Sequence, residues 1–400
     1  MQQETIKGRD IVIVGQQPWD VSIGSNCKNI AIELAKNNRV LYVNSALERK
    51  NLMFNRNGPG ISKRRNVIDK KEKGLISVAN DLWTLYPNVI IESINWISIT
   101  RIFDWVNKRN NVLFSESISE AISELGFKDI ILFNDNDMFK SFYLRKLLKP
   151  VVSIYYSRDY MLGVDYWKKH GERVEPLIIK ESDVCVANST YLTEYCKKYN
   201  PNSYYIGQGC DLELFSTEFD NYCIDEIGTL EGPKIGYVGA LDSIRLDIEL
   251  IAFIAMNLPN YNIILVGPED DLFHNSILHS LPNVIFTGLK SSDELPKYIN
   301  SFDVCINPQL INEVTVGNYP RKIDEYLAMG KPVVATKTQA ADIFKDIIYL
   351  AETKEEFLEQ IKKGLNEDSS LRISERIKVA QSHSWENSIK ELTKAIKNFI

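Results

Sequence analysis

Short apolar runs alternate along the chain with stretches whose apolar positions recur at helical spacing. IVIVGQQ (11–17) reads as a buried strand ending at Gly15, and Ile30, Ile32, Leu34 and Ala35 then follow at near-helical intervals before the next run, RVLYVNS (39–45). Strand, Gly-containing loop, helix and strand make a βαβ unit, because strands of a parallel sheet are covered on both faces and read as continuous apolar runs. Further runs of this kind are DIILFNDND (129–137), VVSIYYSRD (151–159) and DVCVANS (183–189). A polar, acidic stretch, TEFDNYCIDEIGTLEG, interrupts the pattern and reads as a linker. The alternation then restarts with KIGYVGA (234–240), NIILVGP (262–268), NVIFTG (283–288), DVCINP (303–308) and KPVVAT (331–336). Two consecutive α/β sets predict two Rossmann-like domains with a cleft between them, ligands lying at the carboxyl edges of the strands. No motif repeats at fixed period, so the two halves share a fold pattern and not a sequence repeat.

The most informative stretch is Tyr319–Thr336, YPRKIDEYLAMGKPVVAT. Pro320 suits the first turn of a helix, Ile323, Tyr326 and Leu327 form one apolar stripe, and Gly330 supplies the stop before a short strand. A helix N-terminus favours acids, yet Arg321 and Lys322 place two cations there. An anion such as a pyrophosphate bound at the helix start would resolve the conflict. The alternative is an i,i+4 pair of Arg321 with Glu325, worth a few tenths of a kcal/mol.

Four hundred residues, 44% of them hydrophobic, suffice for two or three cores. The net charge of −6 argues against general nucleic-acid binding. Six cysteines form no CxxC pair; Cys27, Cys185 and Cys305 sit in or beside apolar segments and read as small core residues of a reduced protein. No run reaches the length of a membrane span, and the start, MQQETIKGRD, lacks the apolar core of a secretory signal. A cytoplasmic location is expected.

Two segments of the first half carry chemistry outside the strand pattern. Residues 49–75 are basic, with Lys63-Arg64-Arg65 and Lys70-Lys71, and read as a solvated loop or as a contact to anionic lipid or acceptor phosphate. In the aromatic segment that follows, Trp96, Ile99 and Phe103 fall at helical spacing and predict a core-facing helix; a surface meeting a membrane-bound substrate is the alternative.

The chain has no GxSxG, Walker lysine loop or HExxH. His274 and His279 are five apart, off a shared helical face, which argues against a zinc pair. Asp135-Asn136-Asp137 at a strand end reads either as an Asn/Asp-rich turn or as a divalent-cation site. The loop at Gly24 does not spell GxGxxG, so as a phosphate loop it is weak.

The second half resembles the donor-binding domain of the retaining GT-B glycosyltransferases of family 4, also called group 1. The likeness rests on YVGALDSIRLDIELI, NVIFTGLKSSDELPKYINSFDVCINP and PRKIDEYLAMGKPVVAT. In the first half SDVCVANSTYLTEYCKKYNPNSYYIGQGCDLELF resembles the family's hinge-proximal segment, and His383-Ser384-Trp385-Glu386 resembles the opening of its last helix. The branch most similar is the teichuronic-acid type of bacterial surface polysaccharide synthesis. The resemblance implies a GT-B fold of two Rossmann-like parallel-sheet domains facing across a cleft. Residues 1–215 would form the acceptor domain, 216–232 the linker and 233–379 the nucleotide-sugar domain, with the helix of 380–400 crossing back to the first.

The resemblance also implies roles. Arg245 and Lys322 would grip the donor pyrophosphate beside Arg321 and the Gly239 turn. Glu325 would accept from the ribose hydroxyls, Gly288 and Leu289 would present backbone to the base, and Gly24 would face the phosphates from the other domain. Asp159 is the candidate for orienting the acceptor. The family carries two glutamates separated by seven residues, and the place of the first is Gly317 here. Either Glu313 reaches in from a longer loop or the backbone amides of Val316, Gly317 and Asn318 take over. The implied reaction is metal-independent transfer of a sugar, with retention, from a nucleotide-diphosphate sugar to a hydroxyl of a glycan or lipid-linked acceptor; the basic and aromatic segments of the first half are what point to peripheral contact at the inner face of the membrane as one option. A sugar-nucleotide epimerase and a non-catalytic subunit of the same fold are the alternatives.

Overall fold

The computed structural model describes residues 5–20, 25–54, 58, 60–216 and 224–400. Gly24 and Cys223 lie outside them. The chain divides into two compact units, Met1–Gly207 with Trp385–Ile400, and Gln208–Ser384. The second begins ahead of the boundary expected at 215, because Cys210 and Phe215 pack into its core beside Val238 and Tyr326.

In the first unit the strands are β1 (Asp10–Val14), β2 (Arg39–Val43), β3 (Leu47–Glu48), β4 (Leu75–Ala79), β5 (Leu82–Leu85), β6 (Ile90–Ile91), β7 (Ile131–Asp135), β8 (Val152–Ser157), β9 (Val184–Ala187) and β10 (Ser203–Tyr205). Eight of them make one sheet in the order β10-β9-β8-β7-β1-β2-β5-β4, parallel except for the β4–β5 pair. The alternation within β1 shows why an all-apolar run is needed. Ile11 and Ile13 pack on one face with Ile30 and Leu34 of the helix Asn26–Ala35 and with Leu392 and Ile396 of the last helix, Trp385–Ile396. Val12 and Val14 pack on the other with Phe114 and Ile118 of the helix Thr100–Leu125. Each such buried aliphatic side chain contributes roughly 1.5–3 kcal/mol.

Two expectations for this unit are corrected. The basic stretch 49–75 contains two helices among its described residues, Arg49–Phe54 and Ile61–Ile68. Arg64 is buried there, its Nη1 donating to Gly60 O at 2.8 Å and its Nε to Ser45 O at 3.3 Å. A residue taken for a solvated charge thus serves as internal scaffolding. Of the three aromatic-segment residues at helical spacing, only Phe103 is buried, while Trp96 and Ile99 are 75% and 60% exposed. They precede the helix, which starts at Thr100, and Trp96 Nε1 donates to Ser93 O at 2.7 Å in a turn. The inward face of that helix is partly amide instead: Asn111 Nδ2 donates to Phe139 O at 2.9 Å and its Oδ1 accepts from Tyr143 N at 2.9 Å. Such pairing offsets the cost of burying the amides.

The second unit holds β11 (Lys234–Val238), β12 (Asn262–Val266), β13 (Val284–Gly288), β14 (Val304–Asn307), β15 (Val333–Thr336) and β16 (Tyr349–Ala351), a parallel sheet in the order β13-β12-β11-β14-β15-β16. Ile263 and Leu265 of β12 pack with Leu250, Ile251 and Ile254 of the helix Ile248–Asn257. Ile264 and Val266 face the other way, onto Ile323, Tyr326 and Leu327 of the helix Arg321–Ala328. That helix has Pro320 as its N-cap residue, one position ahead of the expected first turn. It ends as the glycine signal requires. Gly330 is left-handed (φ 71°), its N–H donating to Leu327 O at 2.9 Å and that of Lys331 to Tyr326 O at 3.0 Å, a Schellman pair.

Candidate functional site

Tyr326 fixes where the cation-bearing turn of Arg321–Ala328 lies. Its buried hydroxyl accepts from Val238 N at 2.9 Å, which docks the helix on the carboxyl end of β11. The next residue but one to Tyr237 is Gly239, at φ 152°, and a Cβ there would stand 3.3 Å from Lys322 Cε and 2.7 Å from Tyr237 Oη. The glycine therefore lets the Lys322 stem and the backbone approach each other closely. Gly267, at the end of the neighbouring strand, touches Gly239 in turn: a Cβ on it would meet Gly239 O at 1.9 Å.

At the first turn Glu325 is almost fully buried and holds both cations, Arg321 Nε at 3.0 Å and Lys322 Nζ at 2.9 Å, while the cations keep 30% and 28% exposure. The local Arg321–Glu325 pair considered from sequence is therefore real, and Lys322 shares it. The cations remain accessible to an incoming anion because Glu325, the partner, is the buried member.

Arg245 reaches the same neighbourhood by a different route. Residues after Gly239 are tied to the segment 309–318: Leu310 N donates to Arg245 O at 2.8 Å and Asn312 Nδ2 to Ile244 O at 2.7 Å. The half-exposed Arg245 guanidinium lies 3.5 Å from Asp242. With the Asn318 amide turned to suit both neighbours, its oxygen accepts from Arg245 Nη1 at 2.8 Å and its nitrogen donates to Val314 O at 3.2 Å. The structure thus joins Gly239, Lys322, Arg321 and Glu325 in one cluster and Arg245 with Asn318 in another on the adjoining loops.

The proposed substitutes for the absent glutamate fare differently. Val316 N donates to Asn312 O at 3.0 Å and Asn318 N to Thr315 O at 3.0 Å, so both amides are already engaged. Gly317 is buried and Glu313 exposed. Gly288 ends β13 in the left-handed region (φ 71°) with open space where a side chain would stand, and Leu289 beside it is 76% exposed.

In the first unit, Asp159 lies just past the carboxyl end of β8, 2.7 Å from Arg158 Nη1. Arg158 is the residue that sequence reading passed over. Its Nε contacts the fully buried Asp135 at 2.7 Å and its backbone N–H donates to Asn136 Oδ1 at 2.9 Å. Burial opposes its charge, but Asp135 and Asp159 outweigh that and raise its pKa. The signal was present in Ser157-Arg158-Asp159, an arginine beside the acid already singled out. The Asp135-Asn136-Asp137 cation reading is corrected here. Asp135 is committed to Arg158 and Gln16 N, and Asp137 Oδ1 accepts from Phe139 N and Lys140 N at 3.0 and 2.8 Å. The two acids face different partners, and the stretch is a turn with Asn136 at φ 55°.

His274 and His279 also differ from expectation. They do not share a helix: His274 ends Asp271–His274 and His279 lies in the separate 3-10 turn Ile277–Ser280, and the break between them brings the rings together beside Glu269.

With this geometry in view, comparison with known proteins is informative. Residues 232–367 match the family described as Glycosyl transferases group 1. TuaH of Bacillus subtilis (strain 168), a glycosyltransferase assigned to teichuronic acid biosynthesis by inference, is 30% identical over 179 residues, which cover 43% of this chain and 45% of that one. The chain thus spans about half the length of the curated relative it matches. Among solved structures, sucrose-phosphate synthase from Thermosynechococcus elongatus aligns over 98% of both chains with 16% identity and a TM-score of 0.64. Anabaena Alr3699/HepE in complex with UDP and glucose aligns over 98% of this chain and 100% of its own, with 14% identity and a TM-score of 0.65. α,α-Trehalose 6-phosphate synthase from Burkholderia multivorans aligns over 98% and 97%, with 8% identity and a TM-score of 0.68. At these identities the solved structures establish the fold. The fold is GT-B, and residues 232–367 are similar to the group 1 glycosyltransferase domain.

Proposed function

We propose that this protein is a retaining glycosyltransferase that moves a sugar from a nucleotide-diphosphate donor to a hydroxyl of a glycan or lipid-linked acceptor in bacterial surface polysaccharide synthesis. The observation that carries the reading is the pair of accessible cations, Arg321 and Lys322, held by a buried glutamate at a helix start beside the Gly239 turn. In the donor complex Lys322 and Arg245 bind the pyrophosphate and stabilise the charge that develops on it as the glycosidic bond breaks. Glu325, released from one cation, accepts from the ribose. Those groups serve the diphosphate without a metal. Asp159, its carboxylate fixed by Arg158, orients the acceptor hydroxyl from the first unit.

The bound UDP of Alr3699/HepE makes a UDP-sugar the first donor to test. Thermal shift with UDP-, GDP- and dTDP-sugars, each measured at constant EDTA, should give stabilisation with one base that Lys322→Ala reduces sharply. A shift that requires Mn²⁺, or one indifferent to Lys322→Ala, overturns the donor assignment. Gly317 in place of the first glutamate, with the flanking amides engaged, favours a second reading: a non-catalytic subunit that binds nucleotide without turnover. Release of free nucleotide diphosphate on adding acceptor separates the two.

Support for a membrane-bound acceptor comes from a groove of about 730 Å³ in the first unit, lined by Met53, Phe54, Trp96, Ile99 and Ile102 together with Lys50 and the Arg49–Glu92 ion pair. No helix among the described residues is long and apolar enough to cross a membrane. Exposed apolar side chains with Lys50 beside them suit peripheral contact with an anionic surface.

A further inference from the structure

We propose that Glu269, His274 and His279 form a binding site for one divalent transition-metal ion, made of residues other than those of the diphosphate site. A carboxylate oxygen and a nitrogen of each ring all lie within 4.8 Å of one another. A carboxylate and two imidazoles are a donor set for zinc and its neighbours, bonded at about 2.0–2.2 Å with water completing the tetrahedron. Three donors around one ion would stand somewhat closer together than that limit, a rearrangement that side-chain rotation at a surface supplies.

The rings are held for this purpose by contacts of their own. His279 lies flat on Phe286, with centroids 4.0 Å apart and planes at 5°, and His274 meets it edge-on at 5.6 Å. Glu269 Oε2 is 2.7 Å from His279 Nε2, and a metal would take the place of the hydrogen-bond proton shared by the pair. Replacing that proton with an ion keeps both partners and adds the third. The site faces solvent, since both histidines are exposed and Glu269 is partly so, which provides a path of entry.

The backbone gives the site a structural consequence. Glu269 pairs as an isolated bridge with Leu241, Asp270 N donates to Leu241 O at 3.0 Å, and Asp270 Oδ2 accepts from Ser243 N and Oγ at 2.7 and 2.6 Å. An ion at Glu269 would therefore brace the turn that runs from Gly239 to Arg245.

The test is calorimetric titration of Zn²⁺ into the untagged full-length protein, stripped of metal and free of nucleotide. One equivalent should bind with micromolar or tighter affinity, and Glu269→Gln, His274→Ala and His279→Ala should each weaken it at least about tenfold. Zn²⁺ should also raise the Tm of the wild type, and Co²⁺ should give the intense visible absorption of a four-coordinate site. Absence of saturable binding, or binding unchanged in all three variants with their circular dichroism intact, overturns the proposal. Donor binding is read separately at constant EDTA, so either result leaves the proposed function to stand or fall alone.

Discussion

Lys322 Nζ stands 2.9 Å from Glu325, whose carboxylate is buried while the ammonium is not. In the proposed donor complex the diphosphate competes with this pair and offers more charge than one carboxylate. Lys322→Ala should raise the donor Kd roughly ten- to a hundredfold, the worth of a charged hydrogen bond of about 1.5–3 kcal/mol. It should also destabilise the apo protein by on the order of 1 kcal/mol, since Arg321 still neutralises Glu325. Glu325→Gln should leave diphosphate binding largely intact while weakening the nucleoside part. Titrations with inorganic pyrophosphate and with the whole nucleotide distinguish the two variants.

Gly267 and Gly288 make a paired test of what the glycines do. Both have positive φ, but a Cβ on Gly267 would collide with the Gly239 carbonyl at 1.9 Å, whereas one on Gly288 would meet nothing. Gly288→Ala should cost about 1–2 kcal/mol of left-handed strain alone. Gly267→Ala adds a backbone clash and should cost more than that, on the order of 3 kcal/mol, and displace the turn carrying Gly239. Chemical denaturation gives the stabilities, and nucleotide titration should show donor binding damaged far more by Gly267→Ala.

The helix bearing Lys322 and Glu325 was legible because its apolar stripe and Gly330 stop are local signals, and the apolar strand runs gave the two α/β units for the same reason. Arg245 was reached only through family resemblance, since its pairing with Asn318 depends on two loops meeting across many residues. The meeting of His274 and His279 was not legible because a five-residue spacing means separate faces on one helix, whereas the chain places the two histidines in separate helical turns. Arg64 and Trp96 exchanged the places their types suggested, the cation buried by carbonyl partners and the indole exposed. Tertiary hydrogen bonds decide such cases, and periodicity carries no record of them.

Glu175 predicts a pH dependence. It is buried in the first unit, with Tyr155 Oη donating at 2.8 Å and Tyr195 Oη at 3.0 Å. Burial pushes its pKa up to about 7, against the lowering effect of both tyrosines. With a folded value above the unfolded one, the native state binds the extra proton between roughly pH 4.5 and 7. Stability is therefore highest below that window and is lost as pH rises through it, by at most about 3–4 kcal/mol at 1.36 kcal/mol per pKa unit. Glu175→Gln keeps a polar partner for the tyrosines without the charge. Melting wild type and variant from pH 5 to 8 should show the wild type losing Tm relative to the variant as pH rises. Parallel curves would show that the carboxyl titrates alike in both states.

The apolar groove of the first unit makes the membrane reading testable without touching the donor residues. Trp96, Ile99 and Phe54 are 75, 60 and 79% exposed, so replacing them removes little packing, and surface changes of this kind usually stay within about 0.5 kcal/mol. Trp96→Asp with Ile99→Asp should leave the Tm and nucleotide binding near wild type. Cosedimentation with vesicles containing an anionic phospholipid should fall at least about tenfold, because the double variant loses two apolar anchors and places acids against a negative surface. Binding of the wild type should also weaken with salt if Arg49 and Lys50 contribute, since exposed charges are screened beyond about 8 Å at physiological ionic strength. Equal binding of variant and wild type would remove the groove from the membrane contact and leave it as a site for the acceptor itself, where a soluble glycan should then protect Trp96 from fluorescence quenching.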